Sequence, residues 1–288
     1  MKPPPFEYHA PRDLGTALRT LAEVRGKVLA GGQSLIPMLN MRLTAPEHLV
    51  DINQVASLGG IERTEAGVRV GALARHSEVE RAGAHPLLTR ALKLVAHPVI
   101  RNRGTVVGSL VHADPAAELP AVLAVLGGSV RVARWNGDTR AERDVPAEDF
   151  FVGPMESAVQ PGELAVSAYF PALGPRTGVA FEEVTRRHGD YALAGVCAVV
   201  TLDEDAFVTA AKVACIGVGP VPTVVDVTEL SGPSPVQGID WVVAQLVHDA
   251  IEPENDIHAS AAYRRHLVTV LAQRALRNAA REAETRGA

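Results

Sequence analysis

The chain has 288 residues, 47% of them hydrophobic, a formal net charge of −5 and two cysteines. A chain of this length more readily builds two cores than one, and its acidic and basic residues are interspersed, which leaves no basic stripe for a nucleic acid. No run approaches the roughly 20 apolar residues of a membrane span, and the opening MKPPPFEYHA has no apolar signal core, so a cytoplasmic protein without a membrane span is expected.

Asp13 is placed to cap a helix whose apolar positions Leu14, Ala17, Leu18 and Leu21 follow helical spacing. Residues 27–30 read as a short strand, Gly31-Gly32-Gln33 as a turn, and Ser34 as the N-cap of a helix through SLIPMLNMRL, with Pro37 in its first turn. A strand over 48–52 completes a small α/β unit. The stretch GGIERTEAGVRVGAL, from Gly59, reads as a hairpin turning at Glu65-Ala66-Gly67. Helical segments follow at 77–82 and 86–96. They lead into VIRNRGTVVGSLVHADPAAELPAVLAVLGG, residues 99–128, whose end (115–126) reads as a helix with Asp114 as its cap. Strands are expected around 130–133, 163–170, 178–185, 191–201 and 207–217, with a domain boundary at 171–175. A helix from His258 to about Glu284 closes the chain, with Leu267, Val270, Leu271 and Ala275 on one stripe.

Two segments carry ligand-binding character. In AGGQSL, residues 30–35, two glycines remove the Cβ atoms that would hold a ligand off the backbone, and the following helix presents unpaired N–H groups. A plain connection between strand and helix is the other reading, and neither a G-x-G-x-x-G fingerprint nor a P-loop is present. In GTVVGSLVHADPAAE, Gly104 and Gly108 again permit close backbone approach, Thr105 and Ser109 supply hydroxyls, and Glu118 is either a ribose-binding carboxylate or a surface acid near a helix start. His112 reads as structural. Cys197 and Cys215 lie in apolar strand-like runs and read as buried free thiols. Two thiols do not make the four-cysteine set of an iron–sulfur cluster, and the ten histidines form no His-Glu-x-x-His pattern. The sequence thus offers no catalytic side chain and no metal-ligand motif.

The pair AGGQSL and IRNRGTVVGSLVHADPAAELPAVL resembles the FAD-binding middle subunit of the molybdenum hydroxylases, the carbon monoxide dehydrogenase and xanthine dehydrogenase family. The resemblance extends through RRHGDYA at 186–192, IGVGPVP at 216–222 and YRRHLVTVLAQRAL from Tyr263. It implies an α+β protein. Residues 1–172 would form an FAD domain of the vanillyl-alcohol-oxidase type, with lobes of about 1–55 and 56–172 flanking the cofactor, and 173–288 a C-terminal α+β domain of the carbon monoxide dehydrogenase flavoprotein type. It places Ala30, Gly31, Gly32, Gln33, Ser34 and Leu35 at the pyrophosphate, Thr105, Gly108 and Ser109 on a second loop, and Glu118 at the adenosine ribose. Ala96 and Val166 would line the cofactor, and Tyr191 would neighbour the isoalloxazine ring. The family's second loop usually reads Thr-x-Gly-Gly-Ser or Asn, where this chain has Val107 for the first glycine. Valine disfavours positive φ, so Val107 is expected to narrow the approach to the cofactor or impose another turn.

The function implied is that of an electron-transfer flavoprotein. It would take electrons from iron–sulfur clusters in a small partner subunit, fed by a molybdenum-containing large subunit, in a dimer of heterotrimers. Two other readings remain: a self-sufficient FAD oxidoreductase, and a structural subunit that has lost FAD.

Overall fold

The protein was analysed as a computed structural model that describes residues 1–228 and 242–287. The chain begins with β1 (Glu7–His9), α1 (Leu14–Val24), β2 (Lys27–Leu29), α2 (Leu35–Asn40) and β3 (His48–Asp51). Its strands form a parallel sheet in the order β1-β3-β2. Asp13 caps α1 as expected, accepting from the Thr16 amide at 2.8 Å, and Ala17, Leu18 and Leu21 are buried. Ser34 occupies the N-cap position of α2 in a helical conformation and makes no side-chain cap bond, so the expected capping role falls away.

A five-stranded antiparallel sheet follows. Its strands are β4 (Ile61–Thr64), β5 (Gly67–Gly71), β6 (Ser129–Asn136), β7 (Thr139–Pro146) and β10 (Glu163–Pro171), in the order β4-β5-β10-β6-β7. The expected hairpin at 59–73 is the β4–β5 pair. Between β5 and β6 run the helices α3 (His76–Ala82), α4 (Pro86–Leu94), α5 (Pro98–Arg101), α6 (Val106–His112) and α7 (Glu118–Val125). A short helix, α8 (Ala147–Phe150), and a small hairpin of β8 (Phe151–Gly153) and β9 (Glu156–Ser157) precede β10.

The remaining strands, β11 (Thr177–Thr185), β12 (Ala192–Leu202), β13 (Val208–Ile216) and β14 (Thr223–Asp226), form an antiparallel sheet in chain order. Its two faces have different partners. Val196, Ala198, Val213 and Cys215 pack with α9 (Val242–Ala250) and α10 (Ala261–Gly287), while Ala192, Cys197, Ala214 and Ile216 join the core that α1, β3 and the five-stranded sheet share. Cys197 and Cys215 therefore lie on opposite faces as buried free thiols, and burial raises the Cys215 thiol to about 12. On α10 the buried row is Val268, Leu271, Ala272, Ala275, Leu276 and Ala279, whereas Val270, expected inside, is 38% exposed. The alanines let the helix backbone lie directly on β11, where a Cβ on Gly178 would collide with the Ala279 carbonyl. Arg90 on α4 pairs with Glu282 on α10 at 2.7 Å, tying α4 to the last helix.

Candidate functional site

The first glycine segment leaves β2, turns at Gly31-Gly32 and enters α2. Gly32 has φ +74°, a conformation that side-chain-bearing residues rarely adopt. Gly31 is required for another reason: a Cβ there would run into the Arg103 carbonyl and come within 2.8 Å of Gly104 Cα. The two glycine-containing segments thus pack backbone against backbone. The amides of Gln33, Ser34 and Leu35 precede the first bond of the helical turn, Ile36 N–H to Gly32 O, and belong to the N-terminal set without intrahelical partners.

A polar strap braces this turn. Asn53 donates to the Ala30 carbonyl at 2.8 Å and is itself fixed by Asp51, which accepts from both the Asn53 amide and its side chain. Arg75 reaches across with one nitrogen to Asn53 Oδ1 (2.7 Å) and another to the Arg103 carbonyl (2.6 Å), so one guanidinium ties both segments together. In front of the turn lies a cleft of about 410 Å³ lined by residues 30–33 together with Asp51, Asn53 and Arg103. Asn53 and Arg75 carry no local mark in the sequence, because the bonds by which they brace the turn reach residues 22 or more positions away along the chain.

The second segment differs from the loop expected. Thr105 caps α6, its hydroxyl accepting from the Gly108 amide at 3.1 Å, so Gly108 and Ser109 lie within a helix. Val106, Val107 and Leu110 are buried and drive that helix onto the core. Val107 is 2% exposed and helical, so it needs no positive φ. Its expected narrowing of the cofactor approach is therefore corrected. Gly108 serves the cap, because a Cβ there would come within 2.6 Å of the Thr105 hydroxyl. Ser109 Oγ lies 3.1 Å from Nε2 of His76, a buried ring that burial pushes down to about 4 and keeps neutral. The same ring sits 2.9 Å from where a Gly104 Cβ would be.

Asp114 does not cap α7. It accepts from the Ala116 amide at 2.9 Å, closing a turn, and the helix begins three residues later than expected, with Ala117 as cap and Glu118 as its first residue. Glu118 is 9% exposed, and burial, reinforced by Glu183 and Asp114, raises its carboxyl to about 8. Burial also raises Glu183, on β11, to about 7, and its Oε2 is fully buried without a hydrogen-bond partner among the described residues. Tyr191 is 71% exposed as a residue. Burial, then the charges of Asp114 and Glu118, raise its hydroxyl pKa. Tyr191 immediately precedes β12, and Glu183 on β11 is the C-terminal-sheet residue whose charge bears on Glu118 at the start of α7.

Ala96 follows α4 with φ +43° and its carbonyl accepts from Arg101. Val166 sits at a β-bulge in β10, 9% exposed, with its carbonyl bonded to the Ala72 amide. Of the residues singled out from the sequence, 30–33 line the cleft. Ser34 and Leu35 follow these into α2, Thr105 follows Gly104 at the Gly31 contact and caps the helix that holds Gly108 and Ser109, Glu118 starts α7 and Tyr191 precedes β12; none of these, nor Ala96 and Val166, belongs to the cleft lining.

A family profile described as the FAD binding domain in molybdopterin dehydrogenase matches residues 4–173, and one described as the CO dehydrogenase flavoprotein C-terminal domain matches 179–279. The chain is 38% identical to the 6-hydroxypseudooxynicotine dehydrogenase complex subunit alpha of Paenarthrobacter nicotinovorans, covering 97% of this chain and 96% of that protein. It is 34% identical to the carbon monoxide dehydrogenase medium chain of Hydrogenophaga pseudoflava, over 96% and 97%. Among solved structures, quinoline 2-oxidoreductase from Pseudomonas putida 86 superposes with a TM-score of 0.90 at 33% identity, covering 98% of this chain and 99% of that one. Carbon monoxide dehydrogenase from Hydrogenophaga pseudoflava superposes with a TM-score of 0.89 at 32% identity, covering 100% of both chains.

Proposed function

Because the chain belongs to the FAD-binding subunits of the molybdopterin dehydrogenases, the carbon monoxide dehydrogenase type, we propose that it is the electron-transfer flavoprotein of a molybdenum hydroxylase complex. Its cofactor is FAD and it is one subunit of an oxidoreductase. Bound FAD supplies the two-electron redox chemistry that joins one-electron centres to an external acceptor, while the protein positions the flavin and tunes its surroundings.

The observation that carries the reading is the Gly31–Gly32 turn, braced by Asn53 and Arg75 and opening onto a cleft. With no side chain on either glycine, a pyrophosphate can approach the backbone amides of Gln33, Ser34 and Leu35, with Arg103 on the cleft wall to offset its charge. Ala30 anchors the turn through its carbonyl. We assign Thr105, Gly108 and Ser109 to the facing wall, where neutral His76 orients the Ser109 hydroxyl. Glu118 is assigned to the adenosine ribose. Its raised pKa keeps it protonated near pH 7, and a protonated carboxyl both donates to and accepts from a diol. Tyr191 is assigned to the flavin ring, and Ala96 and Val166 to the more distant lining. We take 1–172 as the FAD-binding domain and 173–288 as the C-terminal domain.

The relatives are named as subunits of dehydrogenase complexes. For this chain we propose a molybdenum-containing large subunit and a small iron–sulfur subunit as partners, in a cytoplasmic dimer of heterotrimers. No described helix is long and apolar enough to cross a membrane. The proposal that Val107 marks a chain without FAD has no remaining support, since that side chain belongs to the core. Co-expression with the genomically adjacent large and small subunits, followed by size-exclusion chromatography and anaerobic addition of candidate substrates, tests the assignment. A three-chain complex whose flavin bleaches only when all chains are present is expected. A chain that elutes alone with flavin reduced directly by substrate would overturn it.

A further inference from the structure

We propose that Glu7, His9 and His48 form a binding site for a divalent transition-metal ion of the zinc class on one face of the β1–β3 strand pair. The strands are parallel, with Glu7 opposite His48 and His9 opposite Val50. Residues two apart on a strand share a face, so Glu7 and His9 stand on the same side. Tyr8 between them turns to the other side, where its hydroxyl meets Asp51 at 2.5 Å. His48 enters the same cluster from the neighbouring strand.

The distances are those of coordination. His9 Nε2 and His48 Nδ1 are 3.2 Å apart, His48 Nδ1 and Glu7 Oε2 are 3.5 Å apart, and all three ligand atoms lie within 4.8 Å of one another. Zinc with bonds of about 2.0–2.1 Å to tetrahedral N and O donors sets neighbouring ligand atoms about 3.3–3.4 Å apart. The hydrogen-bonding inventory points the same way. His48 Nδ1 faces both the imidazole nitrogen and the carboxylate, yet carries at most one hydrogen, which serves one of them fully. A cation at the centre satisfies all three lone pairs together.

Two imidazoles and one carboxylate suit zinc, nickel or copper and are poor donors for magnesium or calcium. Three protein ligands leave a fourth position for water. Both rings are half-buried and Glu7 is exposed, so the ion is accessible from solvent. No motif along the chain announces this set, because His48 is 39 residues from His9 and strand pairing alone unites them. The ion would staple edge strand β1 to β3, whose last residue, Asp51, fixes Asn53 against the glycine turn. It is separate from the cofactor cleft and from the redox chemistry proposed above.

The test uses the full FAD-loaded chain, stripped with EDTA and titrated with Zn²⁺ against a competing chromophoric chelator. Thermal unfolding is followed in parallel, and Co²⁺ serves as a spectroscopic probe. Expected are one Zn²⁺ per chain, a raised unfolding temperature, no shift with Mg²⁺, and visible bands of four-coordinate cobalt. His48→Gln removes the stoichiometric site. Glu7→Gln, at an exposed position, lowers Zn²⁺ affinity at least tenfold with FAD content unchanged, and decides the matter if His48→Gln does not fold. Absence of stoichiometric uptake by the wild-type chain overturns the proposal, as does wild-type affinity in both Glu7→Gln and His9→Gln. Either result reduces the cluster to a hydrogen-bonded histidine pair beside a surface carboxylate.

Discussion

Replacing Gly31 by alanine adds one methyl group at the tightest point between the two glycine segments. The new Cβ would lie 2.8 Å from Gly104 Cα and closer still to the Arg103 carbonyl. Comfortable carbon–carbon contact is about 3.5–4.0 Å, so the two backbones must part by about 1 Å. Neither moves easily. The Gly104 side is pinned by Gly104 N–H to Ile100 O (2.8 Å), His76 N–H to Gly104 O (2.9 Å) and the Arg75 guanidinium on Arg103 O (2.6 Å). The Gly31 side is pinned by Asn53 on Ala30 O (2.8 Å). Overpacking of this kind costs about 1–3 kcal/mol, and a site made of backbone on both sides belongs at the upper end. Only the part of this cost felt in the bound state alone reaches affinity: at 1.4 kcal/mol per decade, about 2 kcal/mol of it lowers FAD affinity about 30-fold. Fluorescence titration of the deflavinated variant, with thermal unfolding of the same sample, measures both effects. Gly127→Ala is the control. That residue has φ +63° and nothing within 4 Å of its would-be Cβ, so it costs about 1 kcal/mol of stability and leaves FAD affinity unchanged. Wild-type FAD affinity and unfolding temperature in Gly31→Ala would refute the close packing of the two segments and the cradle built on it.

Gly32→Val, with a β-branched residue at φ +74°, is expected to weaken FAD binding more than Glu118→Ala, which removes one ribose contact worth about 1 kcal/mol when the carboxyl is neutral; parallel titrations compare them. Glu118 and Glu183 are raised in the folded state to about 8 and about 7 from an ordinary 4.5. The folded chain therefore holds more protons than the unfolded one between about pH 4.5 and 8. The stability they contribute is full below that window and is lost as pH rises through it. The unfolding temperature of the flavin-free protein should fall as pH rises across the window, and Glu118→Gln should flatten the decline; an unchanged slope in that variant would count against a buried acid. Val107→Gly is expected to cost about 3 kcal/mol of stability through lost core volume and helix propensity, without improving FAD affinity. Calorimetry and FAD titration check the two halves.

The parts of the fold carried by local signals were legible in the sequence. The Asp13 cap, the β4–β5 hairpin, the long strands β10 to β13 and the final helix all declare themselves through periodicity or turn chemistry. What escaped depends on distant partners. Strand β1 is three residues long and pairs in parallel with a segment some 40 residues away, and β7 is a largely charged edge strand with little apolar alternation. The segment VVGSLVH has the composition of a strand or loop, yet it is helical because Thr105 caps it and Val106, Val107 and Leu110 bury together. The same error produced the concern over Val107.

The candidate site was legible to a similar degree. Gly31 and Gly32 were marked by their type and by the strand-to-helix change around them. The reason for each glycine was visible only in three dimensions: a positive φ for one and the neighbouring segment's carbonyl for the other. Glu118 was visible as an acid at a helix start, whereas its burial against Glu183 arises where the C-terminal sheet meets α7. Asn53 and Arg75 carried no local mark at all, since their role is to brace a turn formed by other parts of the chain.

Flavin stoichiometry is the most direct readout of the glycine cradle. Purified protein incubated with excess FAD, freed of unbound cofactor and then denatured, should release about one FAD per chain, leaving none covalently attached. Release near zero after reconstitution would contradict the glycine cradle as a pyrophosphate site and remove the basis for an electron-transfer role.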